Sequence, residues 1–227
     1  AVMAGDYQMD PADLHRVVEP VCRGEADYVK GNRLFRGELW REIPKVRYFG
    51  NSMLSLLTKI ASGYWHIADS QTGYTAISKV ALERIDPTKI YPRYGMPNDM
   101  LIKLNIWNFR VRDISVKPVY NVGEKSGIRL RKVVFTIPWL IFKGFWRRMF
   151  WKYVILDFHP LVFFYFFGCI FFPAGMAMGL VLAFLRLVTE TSVAATSALF
   201  AALLIISGLQ FLLFAMWFDM DTNKHLR

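Results

Sequence analysis

Ala1-Val2-Met3-Ala4-Gly5-Asp6-Tyr7-Gln8-Met9-Asp10-Pro11 sets a short apolar run before an acidic turn and a helix start. The first three residues read as the end of a buried strand, and Asp6, Gln8 and Asp10 as the turn that follows. Asp10 before Pro11 has the chemistry of a helix N-terminus, an acceptor side chain ahead of a residue that needs no N–H partner. Strand, acidic turn and helix in succession is the unit from which α/β enzymes are built. A carboxylate just past a strand end is where such enzymes commonly place a divalent cation and the phosphates it holds. A strand this apolar needs neighbours on both sides and nothing precedes it, so the expectation is a chain that begins inside a longer enzyme.

The alternation continues outward from this stretch. A helix is predicted to about Cys22, ending near Gly24, and Tyr28-Val29-Lys30 is a short strand leading into Gly31-Asn32-Arg33. Residues 46–62 are helical, with apolar positions at Met53, Leu56, Leu57 and Ile60 and Gly63 as the stop. Residues 74–77 form a strand, 97–108 a helix with Met100, Leu101, Leu104 and Ile106 inward, and 111–119 a strand ended by Pro118. The region 1–128 is therefore expected to be an α/β domain. No internal repeat or low-complexity stretch interrupts it.

The remainder has a different composition. The chain is 54% hydrophobic, above the roughly 45–50% of soluble domains. The excess lies in residues 161–185 and 192–218, neither of which holds a charged side chain. Each exceeds the roughly 20 residues needed to cross a bilayer, and helices apolar on every face are rarely soluble cores. Their C-terminal position excludes a signal peptide. Two transmembrane helices are expected in a hairpin over 158–220, with 221–227 as a tail.

The net charge of +10 is concentrated in 129–152, which has seven basic residues and no acidic one. Its place directly before the first span points to a membrane surface rather than to nucleic acid. Within 129–157, Phe135, Trp139, Phe142, Phe145, Trp146, Phe150 and Trp151 alternate with Lys143, Arg147, Arg148 and Lys152. Pro138 is predicted to break this segment in two. The second piece, with cations at i,i+4 and a dense aromatic remainder, has the pattern of an interfacial amphipathic helix in the headgroup layer. An ordinary amphipathic core helix shares that pattern.

Basic residues flank the start of the first span and the end of the second (Lys224, Arg227), which places the polar domain and both tail ends on the cytoplasmic side. Gln210, the one amide in the second span, is expected to make an interhelical hydrogen bond. Cys22 and Cys169 fall in different environments and no CxxC spacing exists, so an internal disulfide is not expected and a reducing compartment is.

Several polar clusters could do chemistry. Asp6 and Gln8 offer one carboxylate and one amide oxygen on a single turn, suited to Mg²⁺ or Mn²⁺ shared with substrate phosphates. A capping Asp and a turn Asp would look the same. Gly31-Asn32-Arg33 can set a guanidinium against a phosphate, or form a surface ion pair. Asp69-Ser70-Gln71-Thr72-Gly73 can hydrogen-bond sugar hydroxyls, or be a plain loop. Asp99 is either a general base in a cleft or a favourable first-turn charge. Lys125 and Ser126, in the loop 123–127, can clamp a phosphate or mark a hinge.

Their order carries more than any one of them. MAGDYQMDP, YVKGNRLF, RYFGNSML, DSQTGYTAISKVALERI, NDMLIKLN and EKSGI in succession resemble the family 2 inverting glycosyltransferases. The nearest branch is the dolichol-phosphate mannose synthase and polyprenyl-phosphate sugar transferase group. The resemblance covers residues 1–129 and implies a partial nucleotide-sugar transferase domain of GT-A type. It implies that the family's D-x-D metal motif falls on Ala4-Gly5-Asp6, with Ala4 in place of the first Asp and Gln8 as a further metal contact. It places Arg33 near the donor phosphates, Asp69 and Gln71 in the loop that meets the sugar and the acceptor phosphate, and Asp99 at the base position. Asn51 would bind substrate, and Lys125, Ser126 and Arg129 the acceptor phosphate. The family's N-terminal nucleotide-binding strands have no counterpart in this sequence.

The expected function is that of a membrane-anchored transferase. It would move a sugar from a nucleotide diphosphate sugar to a polyprenyl phosphate at the cytoplasmic leaflet, with self-association left open. A glycan-extending synthase with a hydroxyl acceptor is the alternative enzyme, though the Q/R-x-x-R-W element of processive members is not clear in this sequence. A non-catalytic membrane module, favoured by the missing first Asp, is the alternative of another class.

Overall fold

The computed structural model describes residues 1–3, 9–33, 45–117, 130–188 and 191–227, with backbone alone for 45–49, 51, 93 and 130–134. The chain forms two units, Ala1–Lys152 with Asn223–Arg227, and Tyr153–Thr222. The first is mixed α/β. Asp10 caps a 3₁₀ turn, Pro11–Asp13, by accepting from the Ala12 N–H at 2.9 Å. The turn runs into helix α1, Leu14–Cys22, which ends before Gly24 at a φ of +68°. Strand β1, Tyr28–Asn32, follows, then helix α2, Lys45–Ser62, with Gly63 past its end at a φ of +74°. Next come β2, Thr75–Ile77, α3, Lys79–Ile85, α4, Met96–Ile106, and β3, Val111–Ser115.

Among the described residues the sheet has the order β2-β1-β3. Strand β1 pairs antiparallel with β2 (Val29 opposite Ala76) and parallel with β3 (Lys30 opposite Asp113). As the middle strand it is buried along its whole length. Its period-2 alternation divides the core: Tyr28 joins Tyr64, Ile67, Leu101, Leu104 and Val111 on one face, and Val29 joins Val17, Tyr74, Ala76 and Val116 on the other. The four inward positions expected on α4 are all buried. Val2 makes an isolated antiparallel bridge to Thr75, and Val2 and Met3 are exposed. This corrects the expectation of a buried strand, because a single bridge at the edge of β2 covers neither side chain. On α2 the expected apolar positions Met53 and Leu56 are exposed, while Ser55, Thr58 and Ala61 face inward.

Helix α5, Leu130–Phe150, runs without interruption through Pro138, which corrects the predicted break. Pro138 is exposed on the outer side of the helix. A six-residue π-helical turn, Trp151–Leu156, follows. The basic positions of α5 divide in an unexpected way. Lys143 and Arg147 are exposed, but Arg148 and Lys152 are buried. Arg148 donates to Ala61 O at 2.8 Å and to Ile60 O at 3.0 Å, the unpaired carbonyls at the C-terminus of α2. Lys152 donates to Asn105 O at 3.0 Å at the C-terminus of α4 and to Asn223 Oδ1 at 2.7 Å. Two cations that read as headgroup ligands instead neutralise the negative ends of two helices. The outer face is aromatic, with Phe135, Trp139, Phe142, Trp146, Phe150 and Trp151 all exposed. Asn223 and Leu226, after the second long helix, are buried parts of this same unit.

The second unit is a helical hairpin of α6, Leu161–Leu187, and α7, Ala195–Thr222. Both helices are long and apolar enough to span a membrane, with mean hydropathies of 2.1 and 2.4. Only 11% and 17% of their most apolar windows are buried within the chain, unlike core helices of a soluble protein. They pack through small residues: Gly175 lies against the backbone of Ile205, and Gly208 against that of Phe172. Gln210 is exposed rather than bonded between the helices, which corrects the expected interhelical hydrogen bond. At one end of the hairpin the buried Asp219 accepts from Tyr153 Oη at 2.6 Å.

Candidate functional site

The site lies at the C-terminal end of β1, where the strand passes from Lys30 and Asn32 to Arg33 and the loop 68–73 crosses between α2 and β2. Carboxyl ends of strands in open α/β sheets leave crevices of this kind for ligands. Arg33 Nε donates to Asp69 Oδ2 at 2.8 Å and Nη2 to Oδ1 at 3.3 Å, a two-point grip on a buried carboxylate. Burial alone would raise the Asp69 pKa, but the Arg33 charge and hydrogen bonds outweigh it and hold the carboxyl below its usual range. Asp69 Oδ1 also accepts from the Gln71 N–H at 3.1 Å, which shapes the loop.

Gln71 continues the network. Its Nε2 donates to Ser70 Oγ at 2.7 Å and to Asn98 Oδ1 at 2.8 Å. Asn98 Oδ1 also accepts from Thr58 Oγ1 at 2.9 Å, and Ser70 Oγ lies 3.3 Å from Ser55 Oγ. The inward polar face of α2 is thus explained: Ser55 and Thr58 bind the loop and the start of α4. Asn98 is fully buried, and its Nδ2 has no hydrogen-bond partner among the described residues.

Asp99, the next residue, is not open to a cleft. It is 2% exposed and accepts from Lys103 Nζ at 2.7 Å, Arg147 Nη2 at 2.6 Å and the Tyr91 N–H at 2.9 Å. Burial opposes ionisation there, and the hydrogen bonds from Lys103, Tyr91 and Arg147 overcome it, so the pKa is lowered. A carboxylate held this way is a weak base in the arrangement seen.

Sequence reasoning missed two members of the region. Lys30 is completely buried and donates to Thr72 O at 2.9 Å. Burial lowers its pKa to about 8, against the pull of Asp69 and Asp113. Asp113 Oδ2 accepts from the Ala68 N–H at 2.7 Å and from Asn32 Nδ2 at 2.8 Å, while its Oδ1 is buried without a partner among the described residues. Burial raises the Asp113 pKa to about 6. The available signal was one lysine and one aspartate inside runs otherwise suited to strands, Tyr-Val-Lys-Gly-Asn and Val-Arg-Asp-Ile-Ser.

The structure therefore brings together Arg33, Asp69 and Gln71, with Asp99 beside Asn98. Asp6, Gln8, Lys125, Ser126 and Arg129 lie outside the described residues, as does the side chain of Asn51. Among the described residues no three His, Cys, Asp or Glu side chains gather in a way that would hold a metal ion. Asp69 and Asp99 are each occupied by cations. The described residues thus do not fit a divalent cation, and that expectation rests on Asp6 and Gln8 alone.

No family model matches the chain, and no solved structure does. Two curated proteins are similar to it. One is the UDP-N-acetylglucosamine–dolichyl-phosphate N-acetylglucosaminyltransferase of Methanococcus voltae, 29% identical over 115 residues, 51% of this chain and 45% of that protein. The other is an uncharacterized protein of Methanocaldococcus jannaschii, 28% identical over 121 residues, 53% of this chain and 49% of that protein. The chain spans about half the length of the curated relatives it matches.

Proposed function

We propose that the chain belongs to a membrane glycosyltransferase that moves a sugar from a nucleotide diphosphate sugar to a polyprenyl phosphate. The observation that carries this reading is the convergence of Arg33, Asp69, Gln71 and Asn98, from three separate stretches of sequence, into one hydrogen-bonded network at the end of β1. Similarity to a protein named as a dolichyl-phosphate sugar transferase and two apolar helices fit the same reading. The family 2 assignment, the GT-A fold, the cytoplasmic orientation and self-association are parts of this proposal.

The pairing of Asp99 favours a phosphate acceptor over a hydroxyl. A phosphate oxygen is ionised at neutral pH and needs no base, whereas a hydroxyl must lose a proton as it attacks. With Asp99 ion-paired to Lys103 and Arg147, an acceptor that brings its own charge asks least of the site. Arg33, only partly buried, sets a guanidinium at the end of β1 where it can meet a phosphate. Gln71, only half-buried, offers an amide of the kind that orients sugar hydroxyls, and the buried Asn98 holds it in place. A divalent cation on Asp6 and Gln8 would supply charge to the departing diphosphate.

The test is transfer of radiolabelled sugar from UDP- and GDP-sugars to polyprenyl phosphate by the full-length protein, with and without Mn²⁺. Label in the lipid phase that is lost in the Arg33→Ala variant supports the reading. Label that enters only a water-soluble glycan, or none at all, overturns it.

A further inference from the structure

Lys30 and Asp113 are register partners, directly opposite across the parallel pair β1–β3. Neither is part of the polar network around Gln71 and Asn98. Both reach the same loop from below, at its two ends. Asp113 Oδ2 takes the Ala68 N–H at 2.7 Å, just before Asp69, and Lys30 Nζ donates to Thr72 O at 2.9 Å, just after Gln71. Asn32 Nδ2 binds the same Asp113 oxygen at 2.8 Å and so ties that carboxylate to the strand end from which Arg33 departs.

A fully buried lysine in the middle strand of a sheet is costly unless something specific holds it. An apolar residue at position 30 would suit a core strand better. One oxygen of Asp113 takes both N–H donors, from Ala68 and Asn32, and so ties the loop end to the strand end through a single carboxylate.

We infer that Lys30 and Asp113 are positioning residues, register partners, one buried and one half-buried, that clamp both ends of the loop 68–73 and so set Asp69 and Gln71 at the geometry the proposed transfer requires. The inference rests on the proposed function for its catalytic consequence, but not for the clamp itself. The charged groups facing Asp113 are Lys30 from β1 and Asp69 from the loop, with Arg33 beyond Asp69, and His66 sits near β3 through its contact with Val111 O at 2.7 Å. The raised pKa of Asp113 adds a signature. As pH falls through about 6 the carboxylate gains a proton and holds the Ala68 N–H less tightly, so the clamp loosens at acid pH.

The experiment uses the full chain in lipid nanodiscs, with amide hydrogen exchange read by peptide. The variants are Lys30→Met, Asp113→Asn and the apolar double variant Lys30→Met/Asp113→Leu. The last removes both charges together and avoids stranding one of them. Exchange in 68–73 is expected to rise about tenfold in each variant while α4 keeps its protection, as loss of one anchoring hydrogen bond implies. Wild-type exchange in 68–73 should also rise, beyond the intrinsic pH dependence, below pH 6, and this extra rise should be absent in Asp113→Asn. Unchanged exchange in 68–73, or equal loss of protection in α4 for all three variants, overturns the clamp. In the transfer assay with the full-length protein, Asp113→Asn should lower kcat more than it changes KM and remove the acid limb of the pH profile near 6. If the wild-type protein transfers no sugar, the proposed function fails and the exchange result still decides the clamp.

Discussion

Arg147 Nη2 stands 2.6 Å from Asp99 Oδ1, joining the helix that carries the exposed aromatic face to α4, in whose first turn Asn98 and Asp99 lie. Asp99 is thereby a structural hub with Lys103 on its other oxygen. Replacing Asp99 with Asn leaves two cations facing a neutral amide, and breaking a buried pair in this way costs about 3 kcal/mol. Arg147→Met should cost about 1 kcal/mol, because Arg147 is 40% exposed and Lys103 stays in place. Denaturant unfolding in detergent checks both. The pKa of Asp99 is depressed in the folded state, so its stabilisation is present above the unfolded carboxylate value and is lost as pH falls through the folded one. The stability gap between wild type and Asp99→Asn should therefore narrow below about pH 4.

If the acceptor is a lipid phosphate, the same Asp99→Asn substitution should spare transfer once the fold is accounted for. Transfer to a sugar hydroxyl should fall by about 100-fold or more, the usual contribution of a general base. Assaying the two acceptors side by side at equal folded fraction separates the readings. Equal loss with both acceptors would remove the argument for a phosphate nucleophile.

Much of this organisation was legible because it depends on local chemistry. Asp10-Pro11 starts a helical turn, Gly24 and Gly63 take positive φ at helix ends, and the two charge-free runs are helices. The directions faced by the cations of α5 were not legible. A basic and aromatic segment has the same composition whether its lysines and arginines face lipid or cap neighbouring helices. Only the tertiary placement of the C-termini of α2 and α4 decides between them. The inward polar face of α2 was hidden for the same reason: only the placement of Ser70 and the side chain of Asn98 against Ser55 and Thr58 draws these hydroxyls inward. Arg33, Asp69 and Gln71 were found from motif order, whereas Lys30 and Asp113 needed the strand register.

The capping role of Arg148 and Lys152 makes a prediction about lipid. Arg148→Met and Lys152→Met should each destabilise the protein by about 2 kcal/mol, since each leaves helix-end carbonyls buried without a donor. Neither should change the dependence of vesicle association on anionic lipid. Lys143→Met, by contrast, should weaken that dependence with little effect on stability, because Lys143 is exposed and stacks over Trp139 at 5.1 Å. Sedimentation with vesicles of graded phosphatidylserine content, alongside unfolding curves, distinguishes the two classes of cation.

Gly63 is a sharper probe of the same junction. At a φ of +74° any side chain is strained, and a methyl group there would also overlap Arg148 Nη1. Gly24 has a similar φ of +68° but open space around it. Gly24→Ala should cost about 1 kcal/mol from backbone strain alone. Gly63→Ala should cost about 3 kcal/mol, because it also displaces the guanidinium from the end of α2. Thermal unfolding of the two variants gives the difference directly, and equal losses would mean that Arg148 can move aside without consequence.

Lys30 ties stability to alkaline pH. Its pKa is about 8 in the folded chain and 10.5 in the reference state, so between these values the unfolded chain binds more protons than the folded one. Stability contributed at this position therefore rises as pH increases from 8 toward 10.5, by up to about 3 kcal/mol. Lys30→Met removes the titrating group, so its stability should lack that rise. Unfolding free energies of wild type and variant, measured from pH 7 to pH 10.5, should converge or cross as Lys30 loses its proton. A constant difference across that range would show that Lys30 is not held in the desolvated state its burial implies.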